Sequence, residues 1–331
     1  MRRREFTALL GGFAAAWTIE ANAQQPPRKR LVAVLQDLAE HETVAQSELK
    51  AFREALGKLG WTEGNDVQIE VAWGEGNPDR IRELAKMLVG RQPDAIVARG
   101  TPATRALARE TQTLPIVFVV VADPVGAGFA ESLAHPGRNI TGFSNLFSSL
   151  AGKWVELLKE IAPHIEQVTL LFNPLTLAPL EVFMPSIQKV AAALSIQVST
   201  SPVQAANDIE GVFAAQARNP GAGLIVMPDG FNLANREVIV ATANRYRVPT
   251  IYFNAAFYAQ LGGLITYGPD FNDYYRLAAG YVDFILRGRR PEDLPIQQPT
   301  NFQLVINLKT AKALGLSVSP VLLARADEVI E

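Results

Sequence analysis

Apolar residues occur along the chain in two alternating patterns, and together they predict strands that alternate with helices. Short apolar runs rich in β-branched residues are typical of parallel strands that are buried on both faces. In the first part of the chain these runs predict strands at Arg30–Leu35, Val67–Trp73, Ala95–Ala98 and Pro115–Val121. Between them, apolar residues recur every three or four positions, as in the stripe of Leu49, Phe52, Leu56 and Leu59. The alternation predicts a parallel sheet with right-handed helical crossovers.

The second part of the chain repeats this layout. A short extended piece at Asn139–Gly142 precedes it, and its apolar runs predict strands at Gln167–Phe172, Gln197–Pro202, Gly223–Met227, Thr250–Phe253, Gly263–Tyr267 and Phe302–Ile306. Helices are predicted at Leu180–Leu194, Ala234–Tyr246, Phe271–Leu286, Lys309–Leu314 and Val321–Val329. The fold class is therefore α/β, with two doubly wound parallel-sheet lobes of the Rossmann-like kind.

Capping residues mark several helix starts. Each predicted N-cap precedes a proline, faces an acidic residue three positions later, or begins an amphipathic stretch. They are Asn77 before Pro78, Thr101 before Pro102, Asn207 with Glu210, and Asp270 before Phe271.

The late strands are too many for a single passage of the chain from one lobe to the other. We expect residues 29–145 and 255–290 to form the N-terminal lobe, and residues 146–254 and 291–331 the C-terminal lobe. Three crossovers, near Phe143–Ser148, Phe253–Ala256 and Pro291–Gln298, would then form the hinge.

The N-terminus resembles an export signal that does not belong to the fold. Residues 1–23 combine the basic Arg2-Arg3-Arg4, a short apolar stretch and the small residues Ala21 and Ala23 that favour cleavage before Gln24. The Arg3-Arg4 pair is typical of a twin-arginine signal. Cysteine is absent, so no lipid anchor can be attached after cleavage. We expect a soluble periplasmic protein.

Composition limits the kinds of molecule that the protein could bind. The chain has 331 residues, 48% of them hydrophobic, and a net charge of −2, which suits two packed lobes and offers no basic field for nucleic acid. Nucleophile elbows, P-loops and zinc-binding helices are missing from the sequence, and the three histidines stand apart from one another. We therefore expect no catalytic residues, no metal and no cofactor.

Candidate binding residues follow the predicted strands. Thr101 and Pro102 open a helix directly after a strand, and the free N–H groups at such a helix start favour a carboxylate or phosphate. Each candidate lies at or just beyond a strand end, where open α/β sheets bind ligands. The candidates are Gln36, Leu38, Gly100, Thr101, Pro102, Ala103, Ala122, Asp123, Asn173, Asp229, Phe231, Asn254 and Tyr267.

Five sequence motifs resemble the ABC-transporter substrate-binding proteins of the group that includes tryptophan-uptake proteins. They are TPATRALA at 101–108, VADPVGAG at 121–128, PGRNITG at 136–142, MPD at 227–229, and LGGL with YGPD between 261 and 270. The resemblance covers essentially all of the chain after the signal. It implies a type I periplasmic-binding fold, with two lobes joined by three crossovers, and an ABC permease as the transient partner.

The leading hypothesis is a monomeric periplasmic receptor that closes on a small solute. A ligand-sensing module of a signalling system is the alternative, and an enzyme is disfavoured because no nucleophile and base set occurs. An amino acid is the favoured ligand. Its α-carboxylate would bind at Thr101–Ala103, its ammonium at Asp229 or Asp123, and its side chain against Tyr267, Phe231 or Leu38.

Overall fold

The computed structural model describes residues 28–145, 150–175, 177, 180–298 and 300–331. The predicted signal segment, residues 1–23, and positions 146–148 of the first predicted crossover lie outside the described residues.

The first part of the chain forms a sheet of five parallel strands. Its elements are β1 (Arg30–Gln36), α1 (Thr43–Lys58), β2 (Val67–Trp73), α2 (Pro78–Gly90), β3 (Ala95–Arg99), α3 (Gly100–Glu110), β4 (Ile116–Val121) and β5 (Ile140–Ser144). The strands lie in the order β2-β1-β3-β4-β5. Because all five run in the same direction, the loops after β1, β3 and β4 lie side by side at one edge.

The second part begins with α4 and forms a larger sheet. Its elements up to residue 269 are α4 (Ala151–Ile161), β6 (Gln167–Phe172), α5 (Met184–Ala193), β7 (Gln197–Pro202), α6 (Ala206–Gln216), β8 (Ala222–Val226), α7 (Gly230–Ala234), α8 (Arg236–Tyr246), β9 (Thr250–Tyr252), α9 (Ala255–Tyr258) and β10 (Ile265–Pro269). Short 3-10 turns occur at Leu180–Val182 and Pro291–Asp293.

The remaining elements are divided between the two sheets. They are α10 (Phe271–Leu286), β11 (Phe302–Asn307), α11 (Leu308–Ala313), α12 (Pro320–Ala324) and β12 (Glu328–Ile330). Helix α10 packs against α1, β3, β4 and β5 of the first lobe. The second sheet has the order β12-β11-β10-β9-β8-β6-β7, in which β11 is antiparallel to β10. The two-lobed α/β fold is confirmed, and the second sheet is mixed rather than purely parallel.

The chain passes between the lobes three times. The second and third passages lie at other residues than the sequence analysis predicts. Strand β10 pairs with β9 and β11, so residues 255–269 join the second sheet, and their expected placement in the first lobe is wrong. The second passage lies at the short step from β10 into α10. Gln297 still pairs with Phe143 beside the first sheet, so the last passage follows that residue and precedes β11. Backbone pairing decides these positions, and hydrophobic periodicity does not encode it.

Two predicted caps are also wrong. Helix α3 begins at Gly100, and no side chain caps it. Helix α6 begins at Ala206, and the Asp208 carboxylate accepts hydrogen bonds from the N–H groups of Gln204 and Ala205 at 2.9 and 2.8 Å. The predicted helix over 321–329 is α12 followed by β12. By contrast, Asn77 and Asp270 cap α2 and α10 as predicted.

One continuous apolar core joins the two lobes. It includes one face of the first sheet, helices α1 and α10, and the second sheet with its covering helices. A smaller core lies between the opposite face of the first sheet and helices α2 and α3. Along the described ranges, no helix has both the length and the apolar composition needed to span a bilayer.

Candidate functional site

The carboxyl edge of the first sheet brings several predicted residues together. Gln36 ends β1 and is fully buried, Gly100 follows β3, and Ala122 follows β4. These three strands are neighbours in the sheet, so the three loops adjoin one another. Gly100 has φ +77°, and a Cβ there would lie 2.5 Å from Asp37 Oδ2. Only glycine therefore allows the Asp37 carboxylate to lie so close to the start of α3.

Asn173, Asp229 and Asn254 occupy the matching edge of the second sheet. They follow β6, β8 and β9, which are also neighbours. Asp229 caps α7 by accepting from the Asn232 N–H at 2.7 Å, and its other oxygen accepts from the Asn173 N–H at 3.0 Å and from Asn232 Nδ2 at 3.0 Å. Asn254 Nδ2 donates to the Pro269 carbonyl at 2.9 Å. Buried hydrogen bonds thus fix the loops at this edge.

Other predicted residues lie in less enclosed positions. Asp123 is exposed, and its carboxylate accepts from the Gly126 N–H at 2.8 Å, which is a turn contact. Thr101 and Pro102 border a groove of about 240 Å³ between α2 and α3, with Pro78 and Arg105 on its walls. Leu38 and Phe231 are half-buried, and Ala103 lies on the buried face of α3.

Tyr267 does not lie at the end of a strand, as the sequence predicted. It lies in the middle of β10, opposite Leu304 of β11. Its ring packs against Phe302 at a centroid distance of 5.9 Å, and its carbonyl accepts from Trp154 Nε1 at 2.8 Å. Burial, with Asp327 and Glu156 adding to it, raises the pKa of the phenol. The strand continues two residues beyond Tyr267 because Gly268 and Pro269 pair with β11.

A buried charge cluster at the first edge was missed by the sequence reasoning. Arg99, 3% exposed, donates from Nε and Nη2 to Glu48 at 2.8 and 3.1 Å, and from Nη1 to Asp37 at 2.7 Å. Burial raises the pKa of Glu48, while Arg99 opposes this. Burial alone would lower the pKa of Arg99, but Glu48 and Asp37 hold it well above its ordinary value. The available signal was an arginine ending an apolar strand, with Glu48 on the inward stripe of α1.

Contacts between the lobes flank this cluster. The Arg99 guanidinium lies 5.9 Å from the ring centroid of Phe271, which in turn packs edge-on against Phe257 of the second lobe at 5.9 Å. Glu42, just before α1, lies 3.4 Å from Arg236 at the start of α8. These contacts bring the carboxyl edges of the two sheets opposite each other.

A sequence profile for ABC transporter substrate binding proteins matches residues 31–330. The chain belongs to the ABC transporter substrate-binding protein family. Family membership, together with the two lobes and their three connections, places the chain among solute-binding proteins of ABC transporters rather than in a family of enzymes. The fold is that of type I periplasmic binding proteins.

Three similar proteins align along nearly the whole chain. A tyrosine-binding protein of Clostridioides difficile (strain R20291) is 23% identical over 310 residues, which cover 93% of this chain and 88% of that protein. A conserved domain protein from Vibrio cholerae is 30% identical with a TM-score of 0.78, over 91% of this chain and 99% of that one. An ABC domain from Streptococcus pneumonia in complex with L-Trp is 24% identical with a TM-score of 0.79, over 91% and 100% of the two chains.

Proposed function

We propose that this substrate-binding protein is the periplasmic receptor of an ABC importer and that its solute is an aromatic amino acid. The names of its relatives support the ligand class, since one is a tyrosine-binding protein and another was solved with L-Trp. The signal predicted in residues 1–23 supports export and cleavage before Gln24. An ABC permease is the proposed partner, and a monomer the proposed state.

The proposal that the solute is polar rests on a set of buried polar atoms at the two sheet edges. They make no hydrogen bond to any residue in the described part of the chain, although each is shielded from solvent. They include Asn145 Oδ1, Asn254 Oδ1 and the Tyr258 hydroxyl. Buried polar groups are nearly always paired in proteins, so these atoms favour a solute that offers several hydrogen-bonding groups.

The charged ends of an amino acid match the two edges. On the first lobe, the N-terminus of α3 at Gly100–Ala103 offers backbone N–H groups and a partial positive charge to the α-carboxylate. On the second lobe, the buried Asp229 carboxylate offers negative charge to the ammonium. Leu38 and Phe231 would contact the solute side chain.

Solute contacts from two lobes imply that the lobes move during binding. A solute enclosed by both edges can enter only when they separate, so the lobes would rotate about the chain connections between them. The permease would then distinguish the loaded receptor from the empty one by the relative position of the lobes.

A thermal-shift screen of residues 24–331 against amino acids, nucleosides and sugars tests the proposal, followed by calorimetric titration. A solute present at about a hundred times its dissociation constant stabilises the folded protein by about 2.7 kcal/mol, which gives a clear rise in melting temperature. L-tryptophan or L-tyrosine should give this rise and titrate with one site. Binding only by sugars or nucleosides would contradict the amino-acid assignment and leave the receptor function in place.

A further inference from the structure

A groove of about 240 Å³ lies between helices α2 and α3, above the smaller core of the first lobe. Its walls come from the start of α2 and from one face of α3. Three of the residues that border it are arginines, namely Arg82, Arg105 and Arg109, and among the described residues no carboxylate borders it. The charged side chains of this groove are therefore all positive.

The spacing of residues along α3 explains why two arginines face the groove together. Thr101, Arg105 and Arg109 are four residues apart, so they lie on the same face of the helix. With a rise of about 1.5 Å per residue, Arg109 lies about 12 Å along the helix from Thr101. The groove thus extends away from the helix start at Gly100–Ala103, where the α-carboxylate of the solute is proposed to bind.

Two of the three guanidinium groups have no carboxylate partner. Arg82 pairs with Asp79 of its own helix. Arg105 and Arg109, by contrast, form no ion pair within the described ranges. The Arg105 guanidinium lies 5.7 Å from the ring centroid of Phe129, and an aromatic ring supplies no acceptor oxygen. The N–H donors of these two arginines are therefore available to an anion from outside the chain.

The bare groove is electrostatically unfavourable. Arg105 and Arg109 are about one helical turn apart, and like charges at this spacing repel and destabilise a helix. Ile81 and Ala106, which are 2% and 6% exposed, give the groove an apolar floor. An apolar floor lowers the local dielectric constant and so strengthens the attraction for an anion. An anion that bridges the two arginines would replace their repulsion by two attractive contacts.

We propose that this groove binds a phosphate group, with Arg105 and Arg109 of α3 and Arg82 of α2 donating to its oxygens. A phosphate monoester carries about 1.5–2 negative charges at pH 7 and three acceptor oxygens, which match two uncompensated guanidinium groups. The planar guanidinium also suits phosphate geometry, because it can donate two parallel hydrogen bonds.

The size of the groove limits the ligand class to inorganic phosphate and small phosphate monoesters. Sites that enclose a drug-sized ligand have volumes of about 300–1,000 Å³, so this groove can hold the phosphate group and little more. The site is separate from the proposed solute site between the lobes, and the inference does not depend on the receptor function.

Calorimetric titration of the mature protein, residues 24–331, tests the site at low salt in a buffer free of phosphate. The probes are inorganic phosphate, glycerol 3-phosphate and glycerol, which lacks the charged group. Arg105→Gln and Arg109→Gln each remove one guanidinium from α3. Arg218→Gln is the matched control, because Arg218 is an exposed arginine of the second lobe and also forms no ion pair in the described part of the chain.

Both phosphate compounds should bind at one site and glycerol should not. Arg105→Gln and Arg109→Gln should each weaken phosphate binding by about fivefold or more, and Arg218→Gln should leave it within about twofold of wild type. Added salt should weaken the binding, since exposed charges are screened. Without phosphate, all three variants should melt close to the wild-type temperature, because each replaced side chain is exposed.

Four outcomes would overturn the inference. They are no binding of phosphate at millimolar concentration, unchanged phosphate affinity in Arg105→Gln and Arg109→Gln, an equal loss in Arg218→Gln, and competition between phosphate and L-tryptophan. The last of these would place the phosphate in the solute site. If phosphate binds in a manner that depends on Arg105 and Arg109 and no amino acid binds, the phosphate site stands and the amino-acid part of the proposed function fails.

Discussion

The Glu42 carboxylate of the first lobe lies 3.4 Å from the Arg236 guanidinium of the second. Arg236 also covers the ring of Phe257 at 5.9 Å and donates to the Leu233 carbonyl at 3.1 Å. Both side chains of the pair are about one-quarter exposed, at 22% and 27%. This ion pair therefore links the lobes directly, in a setting where solvent still screens it.

Replacing Glu42 by glutamine should weaken the contact between the lobes. The Gln variant can still accept the hydrogen bond from the Ala39 N–H, so the change mainly removes charge. Partly exposed pairs contribute about 0.2–1 kcal/mol, which corresponds to a loss of up to about fivefold in solute affinity if closure depends on the pair. Calorimetric titration at low and high salt measures this loss, which should shrink as salt rises.

Lys50→Gln is the matched control, because Lys50 and Glu54 form an exposed pair within α1 alone. Equal effects of Glu42→Gln and Lys50→Gln, or an effect of Glu42→Gln that does not respond to salt, would show that the interlobe pair has no role in binding.

Gly268 is required by the close approach of β10 to the end of β9. A Cβ at position 268 would overlap the backbone carbonyl oxygen of Phe253, which cannot rotate away as a side chain could. Gly268→Ala should therefore destabilise the second lobe by about 3 kcal/mol or more. Gly211→Ala, in α6, should stabilise it by up to about 1 kcal/mol, because its Cβ meets open space and alanine favours the helix. Urea unfolding measures both; similar midpoints for the two variants would contradict this account.

The parts of the fold that were predictable combine a clear hydrophobic pattern with turn residues at both ends. Strands β2, β6 and β7 lie at the predicted residues because each is bounded by turn residues on both sides. The second and third passages between the lobes were misplaced, because periodicity reports burial and does not report which sheet buries a segment. The hydrophobic pattern of residues 255–269 is compatible with burial in either lobe, and only the pairing of β10 with β9 assigns them to the second.

The candidate site, too, has residues that the sequence predicted and residues that it did not. Gln36, Asn173 and Asn254 were predictable as strand-end residues, since polar groups there either turn the chain or face a ligand. Asp37, Glu48 and Arg99 were not, because their pairing joins residues 51 and 62 positions apart. The charge on Arg99 was visible in the sequence, but its partners depend on how α1 packs over β3.

Acid should remove the contribution of Asp208 to stability. The hydrogen bonds from Gln204 and Ala205 lower the pKa of this carboxyl from 3.8. A carboxyl whose folded pKa is lowered adds stability above its unfolded pKa, and this stability is lost as the pH falls through the folded value. Asp208→Ala should therefore be less stable than wild type at pH 7, and the difference should disappear well below pH 3.8. Asn207→Ala, one residue earlier, should show no such pH dependence in urea unfolding.

Thr101→Ala separates a ligand contact from a helix cap. No side chain caps α3, and the hydroxyl that bonds its first turn belongs to Thr104, which donates to the Gly100 carbonyl at 2.9 Å. The variant should therefore melt close to the wild-type temperature. A fall in amino-acid affinity at unchanged stability would place the solute carboxylate at this helix start, whereas unchanged affinity would move it elsewhere.

Asp229 should affect both stability and binding, and two substitutions separate these effects. Asp229→Ala removes the acceptor for the Asn232 and Asn173 N–H groups, so it should cost about 0.5–2 kcal/mol of unfolding free energy for the lost cap alone. Asp229→Asn keeps an acceptor oxygen for the cap and removes the charge, but its Nδ2 then faces the Asn173 N–H and Asn232 Nδ2, so its unfolding free energy must be measured beside its affinity. If the solute ammonium binds here, Asp229→Asn should lose about 1.5–3 kcal/mol of binding, roughly tenfold to over a hundredfold in affinity.

An analogue of the solute that lacks the amine provides the control. Indole-3-propionate lacks the ammonium, so its binding should be insensitive to Asp229→Asn when that of L-tryptophan is not. If the affinity of Asp229→Asn for L-tryptophan is within about twofold of wild type, the role of Asp229 is structural. It then only caps α7 and accepts the hydrogen bond from the Asn173 N–H. Asp123, the other acceptor predicted for the ammonium, would then be the next candidate, with its Oδ1 already accepting from the Gly126 N–H at 2.8 Å and its second oxygen available.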